Sequence, residues 1–253
     1  MHMTILGSGT SHGVPMIGCH CNVCTSTDPR NRRLRPSACV TNGSETILID
    51  ATPELRLQAL AVGLDRVDAV LVTHTHADHI MGLDDIRRFN DLAGRSLPIY
   101  GSQESLDDIH RIFRYAFMET QIGGGNPRLD LELLDSPARV CGMNVTPIPV
   151  LHGALPILAY RIDDIAYVTD VNYIPPAGMA MLRGLRLLVL DAVRPLAHST
   201  HFGLEQAVPI AAALGAERTL FTHLSHAYDH AKTNAILPAG MELAYDGQVI
   251  DLD

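Results

Sequence analysis

Tryptophan is absent from the 253 residues, and no run of eighteen apolar residues occurs, which excludes a membrane-spanning helix of ordinary length. Basic residues are scarce, 19 Lys and Arg against 28 Asp and Glu, for a net charge of −9. So acidic a chain argues against extended nucleic acid and against an anionic membrane as partners. The opening residues Met1-His2-Met3-Thr4-Ile5-Leu6-Gly7 lack a basic segment followed by an apolar one, so export is not expected and a cytoplasmic location is. There is no Ser/Gly-rich linker, charge block or low-complexity tract, and residues 1–253 read as one domain. With 47% hydrophobic and 19% charged residues the composition is that of a folded chain, long enough to bury a core without disulfides.

Histidine and clustered cysteine are what the chain has in excess. Thirteen histidines need an explanation, and three of the five cysteines, Cys19, Cys21 and Cys24, fall within six residues. Clustered thiols in odd number, without an export signal, read as metal ligands.

Short apolar runs alternate with helical patterns throughout. Strands are expected at Met3–Leu6, Ser37–Thr41, Thr46–Asp50, Ala69–Thr73, Leu97–Gly101, Leu129–Leu134, Val140–Val150, Ile157–Ile162, Ile165–Thr169, Leu185–Asp191 and Arg218–Thr222. Asn42-Gly43 marks a hairpin, because that pair accepts positive φ. Helices are expected at Pro53–Val62, Asp84–Phe89, Ser102–Phe113, Met179–Leu182 and Leu204–Leu214, the third opened by Ser102 as N-cap. Residues 114–127, with three consecutive glycines, read as a mobile loop, and Phe113–Phe117 as an interface or a loop anchor. Cys39 and Cys141 fall in apolar strand patterns and read as core. Two rounds of strand–helix alternation around a strand-rich centre predict an α/β protein, an αββα sandwich of two mixed sheets flanked by helices.

The strongest motif is Thr73-His74-Thr75-His76-Ala77-Asp78-His79, directly after the apolar run Ala69–Val72. Its three imidazoles and one carboxylate share one side only on a tight turn, where they suit zinc, manganese or iron. His152, Asp170 and His223 each follow a predicted strand, and ligand sites of packed sheets collect at such ends. Two cations lower the pKa of a shared water from about 15.7 towards about 7, which makes hydroxide available for hydrolysis. Asp50 and Asp191, closing two strands, are candidates to orient the ligand imidazoles from behind. Three thiols need a fourth ligand to complete a tetrahedral zinc site; His226, His20, His12 and His230 are the candidates.

The motif H-x-H-x-D-H with the later His152, Asp170 and His223 resembles that of the metallo-β-lactamase superfamily. The resemblance implies a dinuclear centre, with His74, His76 and His152 on one metal, Asp78, His79 and His223 on the other, and Asp170 on both. Flavodiiron-type members carry glutamate at the position of His76, so histidine there favours hydrolysis. The N-terminal C-x-C-x2-C and the late Thr222-His223-Leu224-Ser225-His226 are similar to the PhnP cyclic phosphodiesterase family. That likeness implies His226 as the fourth ligand of a structural zinc and a histidine on the substrate phosphate, His201 or its rival His198. It also implies Asp78 and His201 in catalysis and a small-molecule phosphodiester substrate, and the ligand count predicts about three metals per chain. A homodimer is expected by analogy. Thioesterase, lactonase, transfer-RNA 3′-end nuclease and non-catalytic metal-binding protein are the alternatives.

Overall fold

The computed structural model describes residues 1–118 and 125–252. Fourteen strands among them form two seven-stranded sheets. The first contains β1 (His2–Gly7), β2 (Ser37–Asn42), β3 (Glu45–Ile49), β4 (Ala69–Leu71), β5 (Leu97–Gly101) and β6 (Leu129–Leu133), with β14 (Val249–Asp251) at its edge beside β1. The second contains β7 (Ala138–Val140), β8 (Met143–His152), β9 (Leu155–Ile162), β10 (Ile165–Val168), β11 (Leu187–Asp191), β12 (Arg218–Thr222) and β13 (Met241–Leu243), side by side in chain order. Both sheets are mixed: β3 to β6 pair in parallel and β1 to β3 antiparallel, while β10 to β13 are parallel and β7 to β10 antiparallel.

Alternation along each strand explains the layers. Ala38, Val40, Ile47 and Ile49 face the second sheet, where they meet Tyr160, Ile162, Tyr167 and Val189. Their neighbours Cys39 and Leu48 face outward onto α1 (Leu55–Val62) and α3 (Ile86–Ala93). On the far side, Val168, Leu188 and Leu190 pack on α6 (Leu204–Leu214). Both faces of each sheet are buried, so the central strands read as continuous apolar runs. The predicted αββα sandwich is the fold.

Several boundaries differ from the sequence reading. The run expected as one strand over Val140–Val150 is two, because Cys141 and Gly142 turn the chain with φ of 48° and 69°. Cys141 is therefore a half-buried turn residue, while Cys39 lies in the core. The first hairpin turns on Gly43 (φ 61°) and Ser44, with Asn42 still in β2. Helix α1 starts at Leu55, two residues past Pro53. Expected over Asp84–Phe89, the next helix is a 3-10 turn, Met81–Asp85, running into α3. Within the stretch read as a mobile loop, Arg114–Phe117 forms a 3-10 turn. Phe113 is buried and Phe117 packs against the outer core of the first sheet, as loop anchors do. Residues 119–124, the rest of that expectation's centre, lie outside the described residues.

Candidate functional site

The C-terminal edges of both sheets meet at one place, and every strand-end ligand candidate is there. Asp50 follows β3, His74 follows β4, His152 ends β8, Asp170 follows β10, Asp191 ends β11 and His223 follows β12. Asp50, Asp170 and His223 have φ of 58°, 56° and 58°. Left-handed backbone of this kind is uncommon outside glycine, though Asp and His tolerate it better than most residues. The abrupt turn aims each side chain across the gap between the sheets. Strain of this sort concentrates at functional sites.

The motif after β4 enters a short helix, α2 (Ala77–Ile80), with His76 as its N-cap. Its fold is set by Asp50, wholly buried below it. Thr73 donates to Asp50 through its backbone N–H (2.8 Å) and its hydroxyl (2.7 Å). His79 Nδ1 donates to Asp50 Oδ2 at 2.6 Å. His74 Nδ1 lies 3.1 Å from the Thr73 hydroxyl, which already donates to Asp50, so the ring nitrogen is the donor there. One carboxylate thus orients two imidazoles and leaves the Nε2 of each turned to the centre. Backbone bonds lock the same turn to the neighbouring segment: Ala51 N–H donates to the His79 carbonyl (2.7 Å) and Gly82 N–H to the Ala51 carbonyl (2.9 Å).

The second sheet supplies matching supports. His152 Nδ1 donates to the Thr200 carbonyl at 2.8 Å. Asp191, also wholly buried, accepts from His201 Nδ1 (2.9 Å) and from the Val171 N–H (3.0 Å). His201 therefore presents Nε2 to the centre. Its ring stacks on His223 with centroids 4.8 Å apart.

The ligand atoms converge. Those of His74, His76 and His152 lie within 4.8 Å of one another, as do those of His74, His79 and Asp170, and those of His152, Asp170 and His201. Asp170 Oδ1 is 3.3 Å from His79 Nε2 and 3.1 Å from His223 Nδ1; Asp78 Oδ2 is 3.4 Å from His79 Nε2. His74 Nε2, His79 Nε2 and His223 Nδ1 are buried with no hydrogen-bond partner among the described residues. Buried polar atoms are rarely left unpaired, and nitrogen and carboxylate donors aimed at one point suit divalent cations. The electrostatics agree. Burial, and then the neighbouring His79, depress the His74 pKa, leaving a neutral imidazole with a free lone pair. Burial works against a charged His79 as well, but Asp170 and Asp50 outweigh it and raise its pKa well above the ordinary value. Burial would raise the Asp170 pKa, yet His223 and His79 hold it well below the usual carboxylate range. Positive charge is favoured at this point, as a bound divalent cation would supply.

A second cluster lies on the N-terminal side. Cys19, Cys21 and Cys24 have their sulfurs 3.2, 3.6 and 3.6 Å from His226 Nδ1. The S···N edge of a zinc tetrahedron is about 3.5 Å, given the usual bond lengths, so the four side chains fit that ion. His226 is the partner, not the other three candidates. His20 is exposed, His12 lines a neighbouring cavity, and His230 is buried against Asn234 (2.9 Å). His198 sits beside His201, ring centroids 5.3 Å apart, with its Nδ1 accepting from Thr200 N–H (3.3 Å).

Three supports escaped the sequence reading. Thr73 and Thr200 fix the tautomers of His74 and His152. Arg33, 1% exposed, donates to the carbonyls of Ser225 and Tyr228, 2.9 Å each, and clamps the loop that carries His226. Burial lowers the Arg33 pKa to about 10, so it stays charged at neutral pH. Thr73 and Thr200 left only a trace in the sequence, each preceding a histidine as Thr75 and Thr222 also do.

Residues 45–224 match the family described as the beta-lactamase superfamily domain. The chain is 40% identical over 252 residues to the octanoyltransferase of Porphyromonas gingivalis, covering 98% of this chain and 51% of that protein. It spans about half the length of the curated relatives it matches. A solved structure described as a new diphosphatase from the PhnP family superposes with a TM-score of 0.92 at 43% identity, covering 98% of this chain and 96% of the other. Zn(2+)-bound PqqB from Methylobacterium extorquens shares the fold, with a TM-score of 0.80 at 20% identity over the whole of both chains. With its strand-end histidines and carboxylates gathered between two sheets, the chain belongs to the metallo-β-lactamase superfamily, close to PhnP.

Proposed function

We propose that the protein is a metal-dependent hydrolase of a small phosphodiester, cyclic or nucleotide-like. In this reading His74, His76 and His152 hold one divalent cation, zinc, manganese or iron. Asp78, His79 and His223 hold a second, Asp170 lies between, and Cys19, Cys21, Cys24 and His226 hold a structural zinc. When bound, the cation pair polarises a phosphoryl oxygen and makes a nucleophilic water available at neutral pH.

The observation that carries the reading is His201. Its Nδ1–H is committed to Asp191 and its Nε2 faces the ligand set. Burial lowers the His201 pKa, so the free ring is neutral at pH 7. A phosphoryl anion arriving against Nε2 raises the ring's proton affinity, and Asp191 beneath holds the ring in place through Nδ1. Having taken a proton from solvent at Nε2 as the substrate binds, the ring bonds a phosphoryl oxygen and gives that proton to the departing alkoxide. Asp78 remains a carboxylate, because His79 outweighs the effect of burial; it is placed to take the proton of the attacking water. The 43% identical diphosphatase of the PhnP family supports phosphorus as the centre attacked.

Cleavage of bis(p-nitrophenyl) phosphate with added manganese tests this. Turnover is expected. A second reading, acyl thioester hydrolysis, takes its acyl group from the name of the Porphyromonas gingivalis relative, an octanoyltransferase of which this chain spans 51%, so an octanoyl thioester belongs in the same assay. Thioester cleavage without diester cleavage replaces the first reading with the second. Inertness on both with the metal sites full points to a non-catalytic metal-binding protein.

A further inference from the structure

His76 stands apart from its fellow ligand candidates. The rings of His74, His79 and His152 each hydrogen-bond to a support behind them. The His76 ring has no hydrogen bond among the described residues, and the residue is exposed. It meets the cluster through ring contacts alone, with centroids 4.5 Å from His74 and 5.1 Å from His152. A ligand whose ring is untied has to be aimed from its backbone.

That backbone is held from two sides. His79 N–H donates to the His76 carbonyl (2.9 Å) as α2 begins. On the other side the Thr75 hydroxyl donates to Asp108 Oδ2 at 2.7 Å. Asp108 belongs to a separate helix, α4 (Gln103–Ile112), so the bond reaches across to the residue between His74 and His76. Threonine is stiff about χ1, and tying its hydroxyl restrains the main chain on either side. A hydroxyl donating to a carboxylate is among the stronger hydrogen bonds.

Asp108 is itself fixed. Arg111 Nη2 donates to its Oδ1 at 2.6 Å, which leaves Oδ2 to Thr75. Ile109 of the same helix packs with Ile80 and Leu83, which follow the motif. Just past α4, the Tyr115 hydroxyl donates to Asp84 Oδ1 at 2.5 Å. Residues 103–115 therefore grip the motif before α2, at Thr75, and after it, at Asp84.

We infer that Asp108 is a positioning residue for the first cation, fixing through Thr75 the direction of His76. The inference rests on the reading above for the assignment of His74, His76 and His152 to one ion. Asp108 touches neither ion nor substrate. Partners behind metal ligands change affinity about 10–100-fold when lost.

Graded chelation of the cobalt-loaded protein tests this without turnover. Thiolate-to-cobalt absorption reports the thiol cluster, and the weaker bands of nitrogen- and oxygen-bound cobalt report the active centre. Asp108→Ala and Thr75→Val are each expected to release one active-centre cobalt at about tenfold less chelator, and the double variant at no less than either alone. Thr75→Ser, which keeps the hydroxyl, is expected to behave as wild type. The thiol-bound cobalt is expected to leave at the same chelator concentration in all of them. Unchanged retention in Asp108→Ala or Thr75→Val overturns the inference. So does a loss shared by Thr75→Ser, or an equal loss at the thiol cluster, which would mark a general effect on stability. A wild type that takes cobalt at the thiol cluster alone overturns the dinuclear reading and this inference with it. Failure to cleave any diester, with the expected pattern of release observed, removes the hydrolytic reading and leaves the role of Asp108 standing.

Discussion

Asp50, Asp170 and His223 share an unusual backbone and a common purpose. Each sits at the end of a strand with φ near 57° (58°, 56° and 58°), and each either joins the candidate ligand set or orients a member of it. Asp50 does the second for two histidines at once, which makes it the residue with the widest reach at the site. His201 has a narrower part in the proposed function, as the acid at the bond that breaks. Its replacement by alanine is expected to lower kcat on a diester by about 10²–10⁴, the range for a positioned acid, with the metal content of the purified protein unchanged. His76→Ala separates the two metal clusters. Active-site metal and activity are expected to fall, while the thiol-bound ion stays; mass-spectrometric metal analysis of the variant checks both. Loss of the thiol-bound ion as well would mean that the clusters are not independent. The kinds of candidate donor were legible at this scale, because histidine and aspartate clustered by strand ends have few other uses. Their tautomers were not, since Thr73, Thr200 and Asp191 decide them through contacts the sequence does not display.

At the scale of elements, the turn between β4 and α3 is the tightest piece of construction. Gly82 lies against the Thr52 carbonyl, where a Cβ would overlap the oxygen, and its N–H holds the same segment that pairs with His79. Gly82→Ala is expected to destabilise the protein by about 1–3 kcal/mol, the usual cost of overpacking, read from urea unfolding. Helix α7 (His230–Asn234) offers a pH test. Burial, then Arg30 and Arg33, lower the His230 pKa from 6.5 to about 4. The unfolded chain takes up that proton below pH 6.5 and the folded chain does not until about 4, so stability falls as pH drops through this window. Unfolding midpoints at pH 7 and pH 5 are expected to differ more in the wild type than in His230→Gln. Elements with strong periodicity or caps were readable: the helix over 204–214, the strand over 218–222 and the Ser102 cap agree with the structure. The failures fell where a turn interrupts an apolar run, as at Cys141-Gly142, or where the segment is too short to show a period, as in α2, α7, β13 and β14.

Across the whole molecule, the two sheets bring the first motif, residues 74–79, against His152, Asp170 and His223 from the other half of the chain. The thiol cluster and Arg33 then pin the N-terminal loops to the segment after β12. Cations at both places would tie the halves together, binding the folded chain and not the unfolded one. Removing them with a chelator is expected to lower the melting temperature, and zinc to restore it; the stabilisation is about 2.7 kcal/mol for metal at a hundredfold excess over its dissociation constant. A Cys21→Ser variant is expected to lose one metal per chain and to respond less to the chelator. An unchanged melting temperature after complete metal removal would show that the sheets hold the centre without ions.

The amino-acid sequence alone determined the layered α/β architecture and the chemistry of the donors. Apolar periodicity dictates which faces are buried, and imidazole, carboxylate and thiolate can be recognised without coordinates. Only the tertiary structure decided which histidine among four faces the thiols and which nitrogen of each ring is left free. Those outcomes depend on residues up to 207 positions apart, as Cys19 and His226 are, and on backbone turns at Asp50, Asp170 and His223. Aim and separation are set by packing, which no local pattern of residues encodes.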